Sequence, residues 1–224
     1  MEVLGLLPYS SNYTFLTRIT SEAGECLAVY KPTRGERPLW DFPSGTLAAR
    51  EVAAYAVSEA SGWGIVPATV MREDAPLGPG SLQLFIEHDP DRHYFVLMEE
   101  RAAELQRFAA FDVVVNNADR KSGHVLEDSD GSLWAVDHGL TFHIHPKLRT
   151  VIWDYAEQPL PDDVRKDLEG LSAEAADAMR LGGTLAGLLS DEEAAATRAR
   201  IESLVREDRF PLPSHDRPYP WPLI

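Results

Sequence analysis

Apolar and polar positions alternate from Tyr13 to Thr20, with Phe15, Leu16 and Ile19 set among threonines. This period-two pattern predicts a strand. Ser21-Glu22-Ala23-Gly24 has turn chemistry, and Glu25 to Tyr30 resumes a strand that ends at Lys31-Pro32. Residues 1–31 therefore read as β structure containing a hairpin. The stretch 32–45 (PTRGERPLWDFPSG) is dense in Pro and Gly and predicts an ordered loop. Trp40 and Phe42 are too large for a loose linker and are expected to pack over the helix that follows.

From residue 46 the period changes. The run 46–61 (TLAAREVAAYAVSEAS) predicts a helix with Thr46 as N-cap, Gly62 just beyond its end, and an apolar stripe of Ala48, Val52, Tyr55 and Ala56. Two short strands are expected at 65–71 and 81–87, with Asp89-Pro90-Asp91 breaking the second. Residues 101–115 place Leu105, Phe108, Phe111 or Asp112, and Val115 along one helical face, although Val113-Val114-Val115 alone favours a strand. Apolar runs at Leu126 and at Leu133–Val136 flank Asp128-Ser129-Asp130-Gly131, a hairpin signal. The remainder reads as helical, with Ser190 and Glu193 forming a capping-box pattern. From Pro211 onward five prolines in fourteen residues exclude regular helix.

Strands and one helix come first, and helices around a central hairpin follow. The order predicts an α+β bilobal fold of the protein-kinase type. A β-rich N-lobe (about 1–87) would sit on a mainly α-helical C-lobe (about 88–210), with a Pro-rich tail at 211–224. The 224 residues suffice for one such domain.

Charge narrows the range of partners. There are 21 basic against 36 acidic residues, a net charge of −15. A surface this acidic repels nucleic acid and anionic membranes. No apolar run approaches the roughly 18 residues of a membrane helix, and Met1-Glu2-Val3-Leu4-Gly5 lacks the basic start of a secretory leader. Cys26 is the only cysteine, which excludes an intrachain disulfide and a cysteine-based zinc site. A cytoplasmic location is the expectation. Oligomeric state is not legible.

The chemistry-bearing residues cluster late in the chain. Asn116-Asn117-Ala118-Asp119-Arg120-Lys121-Ser122-Gly123-His124 is a polar loop directly after an apolar helix. Ala135-Val136-Asp137-His138-Gly139 places a carboxylate at the end of an apolar strand. A hairpin between them returns Asp137 close to Asp119. Paired carboxylates of this kind suit a proton acceptor for an attacking hydroxyl and a holder of a divalent metal.

These segments resemble the phosphatidylinositol 3/4-kinase-like superfamily, in particular type II phosphatidylinositol 4-kinases and HipA-type bacterial kinases. The likeness rests on Asn117-Ala118-Asp119-Arg120, on residues 136–142 (VDHGLTF), on residues 50–54 (REVAA) and on residues 80–85 (GSLQLF). It runs in order from Tyr9 to Phe142 and points to a small bacterial branch. It implies ATP and Mg2+ or Mn2+ as cofactors, and a hydroxyl-bearing acceptor such as a small polyol, a lipid headgroup or a protein serine. It further implies Asp119 as catalytic aspartate, Asp137 as metal ligand, Lys31 on the ATP phosphates and Glu51 as its partner. Phe85, Ile86 and Glu87 would form the adenine-bordering hinge, and Ser10, Ser11 and Asn12 the phosphate-covering loop. Two positions depart from the pattern. His124 stands where the family places a metal-binding Asn, and imidazole is a softer ligand that suits Mn2+ better than Mg2+. The loop Leu7 to Asn12 contains no glycine. Two alternatives follow: a nucleotide-binding pseudokinase without turnover, and a metallohydrolase built on His124, His138, His143 and His145 with the two aspartates.

Overall fold

The computed structural model describes residues 1–8, 12–22, 24–213 and 217–224. Five antiparallel strands form one sheet in the order β1-β2-β3-β5-β4: β1 (Glu2–Leu6), β2 (Phe15–Ser21), β3 (Gly24–Pro32), β4 (Thr69–Arg72) and β5 (Gly80–Leu84). The expected hairpin is β2–β3, with Phe15 opposite Tyr30 and Ser21 opposite Gly24. Alternation buries Ala28, Tyr30 and Pro32 on one face of β3 and turns Lys31 to the other. The second strand pair is shorter than the sequence pattern suggests, because residues 65–68 and 85–87 lie outside it.

Lys31 owes its place partly to what it pairs with. β3 and β5 place Lys31 opposite Ser81 and Pro32 opposite Gly80. A Cβ at Gly80 would sit 2.3 Å from the Lys31 carbonyl oxygen and 2.7 Å from Pro32 Cα. Only a residue without a side chain lets the backbones approach this closely.

Helix α1 (Leu47–Ala60) begins where expected but is capped differently. The Thr46 side chain accepts from no helix backbone N–H; its hydroxyl donates to the Pro43 carbonyl. The Glu36 carboxylate reaches over from the loop instead and accepts from the amides of Gly45, Leu47 and Ala48 at 2.8, 3.1 and 3.3 Å. A carboxylate at a helix N-terminus satisfies orphan donors and complements the macrodipole. The buried face of α1 also differs from the predicted stripe. Ala53, Ala54 and Val57 enter the main core, whereas Val52, Tyr55 and Ala56 are only half-buried beside Val70, Met71 and Leu181. An alanine-rich helix gives periodicity little contrast, and tertiary packing chose the face.

The loop before α1 divides its two aromatic residues. Phe42 is buried against Leu47 and Ala118, as expected. Trp40 is 90 % exposed, contrary to expectation, with Lys147 Nζ 4.9 Å from its ring centre.

Helices dominate the rest: α2 (Tyr94–Leu97), α3 (Ala102–Val115), α4 (Asp162–Ala176), α5 (Leu181–Leu188) and α6 (Asp191–Glu207). The α3 face holds Leu105, Phe108, Phe111, Asp112 and Val115, all buried, so the valine run is helical after all. Ser190 and Glu193 close the predicted capping box of α6. The predicted hairpin is β6 (Val125–Glu127) with β7 (Leu133–Ala135), its turn held by Asp128, which accepts from the Asp130 and Ser132 amides and from Trp134 Nε1. One apolar core runs from Ala53 of α1 to Phe210 and unites the helices with this hairpin. The Pro-rich segment lies across them. The Pro218 carbonyl accepts from Thr150 N and Trp153 Nε1, and the Leu223 carbonyl from Ser122 N.

Candidate active site

Three elements distant in sequence deliver charged side chains to one point. Lys31 leaves the end of β3, Glu51 stands on the second turn of α1, and Asp137 follows β7. Lys31 Nζ donates to Glu51 Oε1 at 2.5 Å and to Asp137 Oδ1 at 2.7 Å. Glu51 is almost fully buried, and its other oxygen accepts from the His138 amide at 2.9 Å. One carboxylate therefore fixes both the lysine and the backbone beside Asp137. Burial alone would lower the Lys31 pKa, but the charges of Asp137 and Glu51 and their hydrogen bonds outweigh it and raise it. The Lys31 charge in turn holds the Asp137 carboxyl well below the usual carboxylate range.

Asp137 adopts a left-handed backbone, φ +62°, which aspartate tolerates better than most residues. The hairpin sets this position, because the Val136 amide donates to the His124 carbonyl at 3.0 Å and so continues the β6–β7 pairing. His124 Nε2 lies 3.4 Å from Asp137 Oδ2. Burial lowers the His124 pKa to about 4, so the ring is neutral at pH 7. Its Nδ1 receives a long hydrogen bond from the Lys121 amide at 3.4 Å. With Nδ1 accepting, the neutral ring carries its proton on Nε2, toward Asp137.

Asp119 sits on the loop leaving α3. The helix ends at Asn116 in a left-handed conformation, φ +52°, and its side-chain amide donates to the carbonyls of His143 and His145. Asn117 Oδ1 accepts from the Asp119 amide at 3.0 Å. Lys121 Nζ donates to Asp119 Oδ2 at 2.7 Å. Burial raises the Asp119 pKa, and the Lys121 bond opposes that rise.

Beneath these groups lies a buried network that sequence reasoning did not assign. Arg120 and Asp112 are both completely inaccessible and form a bidentate pair. Arg120 also donates through Nη1 to the carbonyls of His124 and Val136, at 3.2 and 3.0 Å. Its Nη2 donates to His138 Nε2 at 2.7 Å. Guanidinium is donor-only, so His138 Nε2 accepts and the ring proton sits on Nδ1. Burial and the nearby Arg120 charge keep His138 neutral, its pKa far below the ordinary value. Asn117 and Thr150 complete the Asp112 carboxylate at 3.0 Å each. The available signal was a charged residue, Asp112, on an apolar helix stripe.

The remaining expected site residues lie apart from these contacts. Phe85, Ile86 and Glu87 follow β5, with the Phe85 amide donating to Leu27, Ile86 buried and Glu87 exposed. Asn12 Oδ1 accepts from the Arg37 amide at 2.9 Å. Ser10 and Ser11 lie outside the described residues. His143 meets Phe42 edge-on and lies at a tilt beside His145, on an irregular segment rather than a strand. Among the described residues no three His, Cys, Asp or Glu side chains converge as a metal cage, and no helix is long and apolar enough to cross a membrane.

Comparison with solved structures defines the class. The chain superposes on the Helicobacter pylori proinflammatory kinase CtkA with a TM-score of 0.53 at 10 % identity, covering 92 % of this chain and 93 % of that one. It superposes on hydra Fam20 crystallised with sugar with a TM-score of 0.54 at 12 % identity, covering 92 % and 84 %. The architecture is therefore a kinase-like α+β fold. Residues 45–180 match the family described as phosphatidylinositol 3- and 4-kinase. The chain is also 40 % identical to protein Rv2133c of Mycobacterium tuberculosis, over all of this chain and 92 % of that protein. It belongs to the phosphatidylinositol 3- and 4-kinase family.

Proposed function

We propose that this protein transfers the γ-phosphoryl group of ATP to a hydroxyl acceptor. One observation carries the reading: Lys31, Glu51 and Asp137 meet through bonds of 2.5 and 2.7 Å although they come from a strand, a helix and a hairpin. Lys31 would hold ATP phosphate oxygens, and Glu51 keeps it in place. The acceptor oxygen attacks the γ-phosphorus as the bond to the β-phosphate oxygen breaks, leaving ADP. Asp119 takes the hydroxyl proton and later releases it to water. Lys121, resting on Asp119, keeps a positive charge where the transferring group gains negative charge.

The donor set fits a divalent metal. Asp137 is ionised and half-exposed, and His124 offers a neutral ring beside it. Two protein ligands, with phosphate oxygens and water for the rest, match how Mg2+ or Mn2+ is held with nucleotides. The metal would supply charge neutralisation on the phosphates. Ligation through His124 Nε2 requires the ring proton to move to Nδ1 at the expense of the long Lys121 bond.

A second reading, a nucleotide-binding module without turnover, is favoured by that same arrangement. Both Asp137 oxygens already face a donor, Lys31 on one side and His124 on the other. Thermal-shift titration with ATP and Mn2+ or Mg2+, paired with an ADP-release assay, separates the readings. Stabilisation with turnover supports transfer, stabilisation alone supports the module, and no nucleotide response overturns both. Phe85 to Glu87 are proposed as the adenine border on their position after β5. The single exposed Cys26 suits a reducing cytoplasm.

A further inference from the structure

Arg50, the residue before Glu51 on α1, is 1 % exposed, so a guanidinium is carried into the interior of the protein. Its Nε donates to the Thr46 hydroxyl at 3.1 Å, its Nη1 to the Thr141 carbonyl at 2.5 Å, and its Nη2 to Glu193 Oε1. The Phe42 ring centre lies 5.1 Å from its Cζ. Thr141 stands four residues beyond Asp137, and Glu193 is the third residue of α6. The Thr141 hydroxyl donates back to the His138 carbonyl at 2.6 Å and closes the turn between them. At the other end of this turn the His138 amide donates to Glu51 Oε2 at 2.9 Å. Two consecutive residues of α1 therefore grip the turn at 138–141 from both ends.

We propose that Arg50 is a positioning residue for the reaction: held by Glu193, it docks α1 against the turn after Asp137 and so keeps Glu51, Lys31 and Asp137 in register. This rests on the phosphotransfer reading of those three residues. A buried ion pair adds little net stability over a well-packed apolar residue, whereas its directional bonds fix geometry. An apolar side chain at position 50 would fill the space but would hold neither Thr141 nor Glu193. A guanidinium held by a hydroxyl, a carbonyl and a carboxylate resists rotation of α1 about its axis. Such a rotation would carry Glu51 away from the Lys31 ammonium, and a misplacement on the order of 1 Å costs up to about a hundredfold in rate. Glu193 also accepts from the Ser190 amide at 3.0 Å through its other oxygen. The start of α6 and the position of Glu51 are thereby set by one carboxylate.

The test uses the full chain and two readouts. Hydrogen exchange of the His138 amide, followed by NMR, reports whether Glu51 still sits on the turn and needs no activity. The kcat and the KM for ATP of ADP release report the effect on the reaction. Arg50→Met and Glu193→Ala should each speed His138 exchange about tenfold or more and lower kcat about tenfold, with a smaller change in KM. Arg50→Lys keeps a charged donor and should recover part of both losses. Two controls separate positioning from general loss of stability. Ser190→Ala removes the α6 cap but leaves Glu193 on Arg50, and Leu204→Ala opens the core under α6. Both should match the parent in His138 exchange and in kcat. Parent-like exchange in Glu193→Ala, or equally fast exchange in the two controls, overturns the proposal. If Arg50→Met does not fold, Glu193→Ala decides alone. If the parent releases no ADP, the phosphotransfer reading falls, and His138 exchange still decides whether Arg50 docks α1.

Discussion

Asp112 and Arg120, eight residues apart, are both completely buried and meet carboxylate to guanidinium with Nη2 2.9 Å from Oδ1. The pair ties helix α3 to the end of the hairpin that leads into Asp137, because Arg120 also holds the carbonyls of His124 and Val136. It sets the separation between the Asp119 loop and the turn that carries Asp137.

Removing one member strands the other charge in the core. Asp112→Ala should cost about 3–5 kcal/mol in urea unfolding. Asp112→Leu combined with Arg120→Met should recover part of that stability but not turnover, since the carbonyls of His124 and Val136 lose their donor. Full activity in the double variant would show that the pair has no positioning role.

Glu36 caps α1 from a distance and thereby stabilises the helix that bears Glu51. Glu36→Ala should cost about 1–2 kcal/mol, and Glu36→Gln less, because the amide oxygen still accepts. Thr46→Ala should cost less than Glu36→Ala. The reverse order in thermal unfolding would return the cap to Thr46.

Lys31 and Glu51 should separate in nucleotide binding. Lys31→Met should remove the ATP-dependent thermal shift. Glu51→Gln retains an acceptor for the His138 amide and should keep a reduced shift while lowering turnover about a hundredfold. A full shift in Lys31→Met places the phosphates elsewhere.

Asp119 must be ionised to accept a proton. Burial raises its pKa, so turnover should fall on acidification at a higher pH than an ordinary aspartate would give. Lys121→Met removes the opposing bond and should move this limb to still higher pH. Asp119→Asn should keep nucleotide binding and lose turnover by about 10²–10⁴-fold. A pH–rate profile of both variants checks each point.

His124 should shape acid stability. Its pKa falls from the ordinary 6.5 to about 4 on folding, so between these values the unfolded chain binds a proton that the folded chain refuses. Stability therefore rises with pH through this window, and the contribution is complete above 6.5. His124→Asn removes one such proton and should reduce the slope by about 1.4 kcal/mol per pH unit in metal-free denaturation. An unchanged slope would mean that His124 is charged in the folded protein. The same variant should shift metal preference from Mn2+ toward Mg2+.

The sequence by itself determined the order of elements and the two loops that matter. Period-two runs at 13–30, the alanine-rich helix before Gly62, and the apolar stripe of α3 are local signals, and local sterics and burial enforce them. Asp119 and Asp137 were legible because each ends an apolar element with a polar turn. Tertiary structure alone decided the rest. Which face of α1 is buried, why Glu36 rather than Thr46 caps it, and why Trp40 stands exposed while Phe42 is covered depend on contacts between segments far apart. Lys31 illustrates the division. Its place at a strand end was readable, but its charge partners come from residues 20 and 106 positions away. The buried Asp112–Arg120 pair was hidden for the same reason: a charge in a core is tolerated only where another charge meets it, and that meeting is made by the fold.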